Sequence, residues 1–155
     1  MANKLNGKVV IITGASSGIG AAMAREYAAM GAKVVLGARQ GDKLEQMCKE
    51  IEATGGKAAW CVTDVTKQED CQKLIQTAVD SFGGIDVLIC NAGISMRALF
   101  DDLDLNVMHR LMDVNFWGTV YCTKYALPYL LQAKGSVVGV ISIAGFKGLP
   151  ARTGY

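Results

Sequence analysis

The sequence has little histidine, little proline and little net charge. It contains one histidine, His109, and two prolines among 155 residues, and its formal net charge is +2. His109 stands beside Arg110 in a charged stretch, so we interpret it as a surface residue and see no basis for a Ser-His-Asp hydrolase. A charge of +2 is too small to indicate nucleic acid or a membrane surface as a partner.

Long apolar runs, paired cysteines and metal-binding motifs are missing too. No run reaches the roughly 18 uncharged residues of a membrane span, and the N-terminus lacks the hydrophobic segment of a secretion signal. The acidic stretch 101–104 lacks the glycine and glutamate of a calcium loop, so no metal is predicted. The cysteines form no Cys-x-x-Cys pair, and we expect buried thiols in a cytoplasmic protein; they are Cys48, Cys61, Cys71, Cys90 and Cys122.

The sequence does contain a regular alternation of strand and helix patterns. Apolar, β-branched runs predict strands near 8–13, 33–37, 57–62, 85–90 and 136–142. Helical patterns are predicted over 21–30, 42–53, 67–82 and 104–132. Such alternation implies parallel βαβ units with right-handed crossovers. We therefore predict an α/β, doubly wound parallel sheet of the Rossmann type, with at least five strands, in one domain spanning 1–155.

The last predicted helix, 104–132, is apolar on nearly every side. A helix of this kind is buried on more than one face. One face should cover the sheet, and the other should meet a partner subunit or be covered by further polypeptide. Pro128 should either kink this helix or mark a late boundary.

A glycine-rich turn follows the first strand, in the stretch Thr13-Gly14-Ala15-Ser16-Ser17-Gly18-Ile19-Gly20. The order strand, glycine turn, helix is typical of sites that hold a nucleotide pyrophosphate at a helix N-terminus. The GxxxGxG spacing differs from the common GxGxxG fingerprint. Taken alone, the stretch is equally compatible with a structural turn.

The end of the second strand reads Gly37-Ala38-Arg39-Gln40 and has no acidic residue. Sites for NAD usually carry an acid there, where it binds the ribose 2′-hydroxyl. A guanidinium instead suits a 2′-phosphate, which it can hold with two parallel hydrogen bonds. We therefore expect NADP(H) in preference to NAD(H); the alternative is an ordinary surface arginine.

Further motifs make a family resemblance specific. Asp64-Val65 follows the third strand, Asn91-Ala92-Gly93 follows the fourth, and Asn115 lies in the long helix. Ser142 ends the fifth predicted strand, and Tyr155 comes thirteen residues later. With the glycine turn, these closely resemble the short-chain dehydrogenase/reductase family over the whole chain. Ser17 stands where the epimerase-like subdivision has a glycine, so the resemblance is to the common single-domain subdivision.

The resemblance implies a role for each matching residue. The pyrophosphate and adjoining ribose would be held by Gly14, Ser16, Ser17, Gly18, Ile19 and Gly20. The adenine would be read by the Asp64 side chain and the Val65 backbone, and the rest of the cofactor would be lined by Asn91, Ala92, Gly93 and Tyr155. The catalytic residues would be Asn115, Ser142 and Tyr155.

The family has a fourth catalytic residue, a lysine four places beyond the tyrosine, where this sequence has ended. Complete proteins of this type have about 250 residues, a common upper size for one α/β domain. We therefore expect this sequence to be part of a longer enzyme, lacking the last strands, and to have little or no activity by itself.

The proposed chemistry fits these residue types. Tyrosine can give a proton to a developing alkoxide, but its pKa of about 10 makes it a poor base unless a nearby cation lowers that pKa. Ser142 could polarise a carbonyl, and Asn115 could hold a water molecule. The sequence thus predicts an NADP(H)-dependent oxidoreductase that acts on a small-molecule ketone or secondary alcohol and forms a homodimer or homotetramer through 104–132. The alternative is a non-catalytic NADP-binding module.

Overall fold

The computed structural model describes residues 5–155 and contains one sheet of five parallel strands. The spatial order is β3-β2-β1-β4-β5, so the chain runs outward from β1 in both directions. This confirms the predicted doubly wound, Rossmann-type sheet. The strands are β1 (Val9–Thr13), β2 (Lys33–Ala38), β3 (Lys57–Val62), β4 (Val87–Cys90) and β5 (Ser136–Gly139).

Helices cover both faces of the sheet. Val10 and Ile12 of β1 point to one face, which α1 and α2 cover, and Val9 and Ile11 point to the other face, which α3 and α5 cover. This alternation follows from the two-residue side-chain period of a strand. The helices are α1 (Gly18–Ala29), α2 (Gly41–Ala53), α3 (Gln68–Phe82), α4 (Leu105–Leu111) and α5 (Gly118–Ala133), with a π-helical segment (Met112–Trp117) between the last two and a 3-10 turn (Ile143–Gly145) after β5.

The predicted helix over 104–132 is one continuous helical rod, but its hydrogen bonding changes along its length. Asp104 caps its start, where the side chain accepts a hydrogen bond from the Asn106 N–H. The predicted late boundary at Pro128 is wrong, because α5 continues through Pro128 to Ala133. Cys122, Ala126 and Leu130 are buried in the core beside α3 and β4, and this packing outweighs the single backbone hydrogen bond that proline removes.

Strand β5 is shorter than predicted. It ends at Gly139 and not at Ser142, because its partner β4 ends at Cys90 and offers only one more acceptor, the Cys90 carbonyl, to the Val140 N–H. Val137 and Val138 are 46% and 43% exposed. The strand therefore forms an apolar edge of the sheet. Within the described residues, no helix has the length and hydropathy needed to cross a bilayer.

The hydroxyl of Thr13 joins the ends of β1 and β4. Thr13 is 2% exposed. Its Oγ1 accepts hydrogen bonds from the N–H groups of Asn91 and Ala92, both at 3.0 Å, and donates to the Ile89 carbonyl at 3.3 Å. One buried side chain thus fixes the relative position of the two loops that follow these strands.

Thr13→Val should lower the free energy of unfolding by about 2 kcal/mol, since it leaves two partly buried N–H groups without an acceptor at nearly constant volume. Thr77→Val is the matched control, because the Thr77 hydroxyl is exposed and bonds only within α3. We expect the control to change stability by less than about 0.5 kcal/mol. Urea denaturation followed by circular dichroism measures both, and equal stability of the two variants would contradict the assigned role of Thr13.

Candidate functional site

A cavity of about 570 Å³ opens at the carboxyl ends of β1, β2, β3 and β4. Ligands of open parallel sheets bind at this edge, where the strand order reverses. Most of the predicted cofactor-binding residues line it, namely Gly14, Ser16, Ser17, Ile19, Arg39, Asp64, Val65, Asn91, Ala92 and Gly93. The sequence did not single out the remaining lining residues, which are Ala38, Gln40, Thr63, Thr66, Ile94, Arg110, Asp113 and Val114.

The three glycines of the turn are required for different reasons. Gly14 has a φ of +67°, and a Cβ there would lie 2.9 Å from the Cα of Ala92. A Cβ on Gly20 would lie 2.5 Å from the Gly14 carbonyl oxygen, so only glycine lets α1 approach the turn this closely. Gly18 has a φ of +55° but faces open space. Gly18 and Gly20 therefore shape the turn without lining the cavity.

The N-terminus of α1 is suited to an anion. Ser17 is the N-cap residue in an extended conformation, and its side chain makes no capping hydrogen bond. The first N–H groups of a helix have no intrahelical acceptor, and they carry the positive end of the helix dipole. Since no acidic side chain occupies the first turn of α1, a phosphate fits here.

Asn91 holds the β4 loop against the glycine turn. Its Nδ2 donates to the carbonyl oxygens of Thr13 at 2.9 Å and of Gly14 at 3.3 Å. The same nitrogen would lie 2.6 Å from a Cβ on Gly20. Asn91 therefore forms part of the cavity wall and also positions the residues of the turn.

Asp64 is held as a carboxylate on the third strand's side of the cavity. Partial burial raises the pKa of Asp64. Hydrogen bonds from the Thr66 N–H (3.1 Å) and the Thr66 hydroxyl (2.9 Å) lower it, as do the positive charges of Arg39 and Lys67. The pKa therefore lies below its ordinary value. The Asp64 N–H in turn donates to the Asp70 carboxylate at 3.0 Å. This loop therefore presents a negatively charged acceptor to the cavity near neutral pH.

Arg39 lies exposed at the end of β2 and lines the cavity. Within residues 5–155 its guanidinium makes no hydrogen bond or salt bridge, although its charge acts on Asp64. An arginine so placed can offer its planar fork of donors to an incoming phosphate.

Asn115 lies in the π-helical segment and holds the loop after β4. Its Oδ1 accepts from the Ile94 N–H and its Nδ2 donates to the Ile94 carbonyl, both at 2.9 Å. A π-helical turn inside an α-helix often marks a functional site. The side chain of Asn115 therefore positions Ile94, which lines the cavity, while Asn115 itself does not.

Ser142 and Tyr155 lie beyond β5 and are outside the lining of the cavity. Ser142 Oγ accepts a hydrogen bond from the Ala144 N–H at 3.1 Å and caps the 3-10 turn. This leaves the hydroxyl hydrogen available to donate. Tyr155 is 39% exposed, and the Arg152 guanidinium lies 5.7 Å from the centre of its ring.

Arg152 connects the segment around Tyr155 to the loop after β4. The sequence did not predict this connection. Its guanidinium donates to the Ser95 hydroxyl and to the Met96 carbonyl. The Ala98 N–H also donates to the Ala151 carbonyl at 3.0 Å. No local pattern signals these contacts, because they join positions more than 50 residues apart.

A sequence model described as "short chain dehydrogenase" matches residues 8–155. The chain belongs to the short-chain dehydrogenase family. Among curated relatives, an "11-beta-hydroxysteroid dehydrogenase-like 4A" of Arabidopsis thaliana is 40% identical over 98% of this chain and 52% of its own length. An "11-beta-hydroxysteroid dehydrogenase-like 3" of the same plant is 42% identical over 96% of this chain and 48% of its own length. The chain thus spans about half the length of these relatives.

Solved structures of the family agree with the fold. An alcohol dehydrogenase of the archaeon Thermococcus sibiricus, complexed with 5-hydroxy-NADP, superposes with a TM-score of 0.92 at 32% identity. It matches 96% of this chain and 63% of its own. A family member from Burkholderia phymatum in complex with NAD gives a TM-score of 0.93 at 28% identity, covering 98% of this chain and 55% of its own. Relatives of this fold therefore bind either cofactor.

The residues present fit a dinucleotide. The cavity combines a glycine turn, a helix N-terminus free of acidic side chains, a carboxylate and an arginine. Across the described residues, no group of three or more His, Cys, Asp or Glu side chains is arranged to hold a metal ion.

Gly20→Ala tests the close approach of α1 to the turn. Helix propensity alone predicts a gain of up to about 1 kcal/mol, whereas the contact with the Gly14 carbonyl predicts a loss of about 1–3 kcal/mol. We expect the loss, measured by thermal or urea denaturation. Gly84→Ala is the control, because a Cβ there meets nothing within 4 Å and the φ of Gly84 is not in the left-handed region; a stabilised Gly20→Ala variant would contradict the contact.

Proposed function

We propose that this protein is an NADP(H)-dependent oxidoreductase that transfers hydride between the nicotinamide and a ketone or secondary alcohol. The observation that carries the proposal is the cavity, where the N-terminus of α1 faces Asp64 and Arg39. The glycine turn and Ser17 bind the pyrophosphate, and Asp64 accepts a hydrogen bond from the adenine. Arg39 holds the 2′-phosphate.

The remaining residues act on the substrate side. The bound cofactor supplies or accepts the hydride. Ser142 donates a hydrogen bond to the substrate oxygen, since its Oγ already accepts from Ala144 and keeps its own hydrogen. Tyr155 gives a proton to that oxygen on reduction and takes it back on oxidation. Asn115 fixes the loop at Ile94 through both atoms of its side-chain amide.

The substrate class follows from the surroundings of Ser142. Ile141 and Ile143 are 73% and 70% exposed, and Phe146 is 84% exposed. Apolar side chains at this place favour a hydrophobic carbonyl compound or alcohol. The 11-beta-hydroxysteroid dehydrogenase names of the relatives agree with such a substrate.

The helical rod is a surface for pairing with a second copy, in a homodimer or homotetramer. Large apolar side chains stay exposed along it, including Met112 and Phe116 near the π-helical segment and Leu127 and Leu131 in α5. Burial of such a patch is favourable. The alternative remains that further polypeptide covers part of it, and sedimentation of the full-length gene product distinguishes the two.

The cysteines support a reducing compartment such as the cytoplasm. All five are free thiols, and all but Cys61 are buried. Burial, with the charge of Glu52, raises the pKa of Cys48 to about 11, and burial raises the pKa of Cys90. These two thiols are therefore unreactive, whereas a hydrogen bond with Cys122 lowers the pKa of Cys71.

Arg39→Asp tests the choice of cofactor. The carboxylate removes the guanidinium fork and repels a 2′-phosphate, so the Kd for NADPH should rise at least about 100-fold, while the Kd for NADH changes by less than about threefold. Fluorescence titration of each nucleotide measures both values. Arg25→Asp changes the net charge equally at an exposed residue paired with Glu50, outside the cavity, and should leave both values unchanged. Equal weakening of NADPH and NADH by Arg39→Asp would refute the role.

Tyr155→Phe tests catalysis and should be made in the full-length gene product, since the matched relatives are about twice as long as this chain. Loss of the phenolic proton donor should lower kcat at least about 100-fold, with the Kd for NADPH within about threefold of wild type. NADPH oxidation with a panel of ketones measures kcat. Wild-type protein that binds NADPH but turns over no carbonyl would favour the alternative, a non-catalytic NADP-binding module.

A further inference from the structure

Arg110 brings a second arginine into the cavity, from the helical rod opposite the glycine turn. It lies in the last turn of α4 and lines the cavity together with Asp113 and Val114. Basic residues are common in the last turn of a helix because of the helix dipole. That reason does not apply here, since the rod continues through the π-helical segment and α5 to Ala133.

Two contacts fix the rod over the ends of β3 and β4 and so determine which way Arg110 faces. Asn115 is bonded twice to Ile94, and Gly118 packs so closely on Val65 that a Cβ would lie 2.8 Å from the valine side chain. Arg110 precedes Val114 by four residues, so the two share one face of the rod. The contacts of Asn115 and Gly118, and not contacts of Arg110 itself, therefore place Arg110 on the cavity side of the rod.

The guanidinium of Arg110 is available to a ligand. Two other arginines are engaged, Arg25 with Glu50 at 3.0 Å and Arg152 with Ser95. Over residues 5–155, Arg110 makes no hydrogen bond or salt bridge, even though Asp113 lines the same cavity. Arg39, which lies at the end of β2, lines the same cavity and likewise makes no hydrogen bond or salt bridge among these residues.

We propose that Arg110 is a second phosphate-binding residue of the nucleotide cavity, acting from the rod while Arg39 acts from the end of β2. The proposal rests on the proposed function, because its ligand is a phosphate of the dinucleotide. That phosphate is either the 2′-phosphate or the pyrophosphate. Both are recognised by the same chemistry, a charge-assisted hydrogen bond from a guanidinium.

The test is the Kd of the purified Arg110→Gln variant for NADPH, NADH and 2′,5′-ADP, measured by titration at low ionic strength. We expect the Kd to rise about tenfold for each ligand that carries the phosphate contacted by Arg110. An increase confined to NADPH and 2′,5′-ADP assigns the 2′-phosphate. An equal increase for NADPH and NADH assigns the pyrophosphate, and either pattern supports the proposal.

Lys124→Gln is the matched control, because Lys124 is an exposed cation on the same rod that does not line the cavity. It should shift each Kd by less than about twofold. Arg110→Lys keeps the charge without the planar fork and should recover part of the lost affinity. If Arg110→Gln shifts no Kd more than Lys124→Gln does, the proposal is wrong. Wild-type protein that binds none of the three ligands would instead contradict the proposed function.

Discussion

The close approach of β1, α1 and the β4 loop at one point is the constraint on which the rest of the site depends. The Thr13 hydroxyl, buried between the ends of β1 and β4, bonds to one backbone group of β4 and to two of the loop that follows it. The amide of Asn91 bonds back to the carbonyls of Thr13 and Gly14. The space between these groups is too small for any side chain at position 20, which is occupied by glycine. The conformation of the turn is therefore set by contacts within the protein itself.

Preorganisation of this kind has a physical consequence for binding. An anion that meets fixed N–H donors and a helix dipole does not have to order them, so less of the interaction energy is lost on binding. Asp64, Arg39 and Arg110 line the same cavity, and under the proposed function their charges add specificity for the cofactor. The carboxylate stays ionised because Thr66 bonds to it and Arg39 and Lys67 lie near it.

The second constraint is the π-helical segment of the rod. The hydrogen bonding changes from α-helical to π-helical between Met112 and Trp117. Asn115 is held against the loop after β4, and Gly118 is held against the loop after β3. The rod thus contributes Asn115, which positions the loop after β4, and three residues that line the cavity, namely Arg110, Asp113 and Val114. Beyond β5, Arg152 joins the Tyr155 segment to the loop after β4.

Much of this protein can be predicted from its sequence, because the relevant signals are local. The five strands and the doubly wound sheet follow from residue type and periodicity. The predicted residues at the ends of β3 and β4, such as Asp64 and Asn91, came from the family resemblance, and they line one cavity because parallel strands bring their carboxyl ends to one edge. Tertiary packing alone decided the passage of α5 through Pro128, the early end of β5, the π-helical segment and the direction of Arg110. Each depends on partners far along the chain, and a hydrophobic period of 3.6 residues carries no information about those partners.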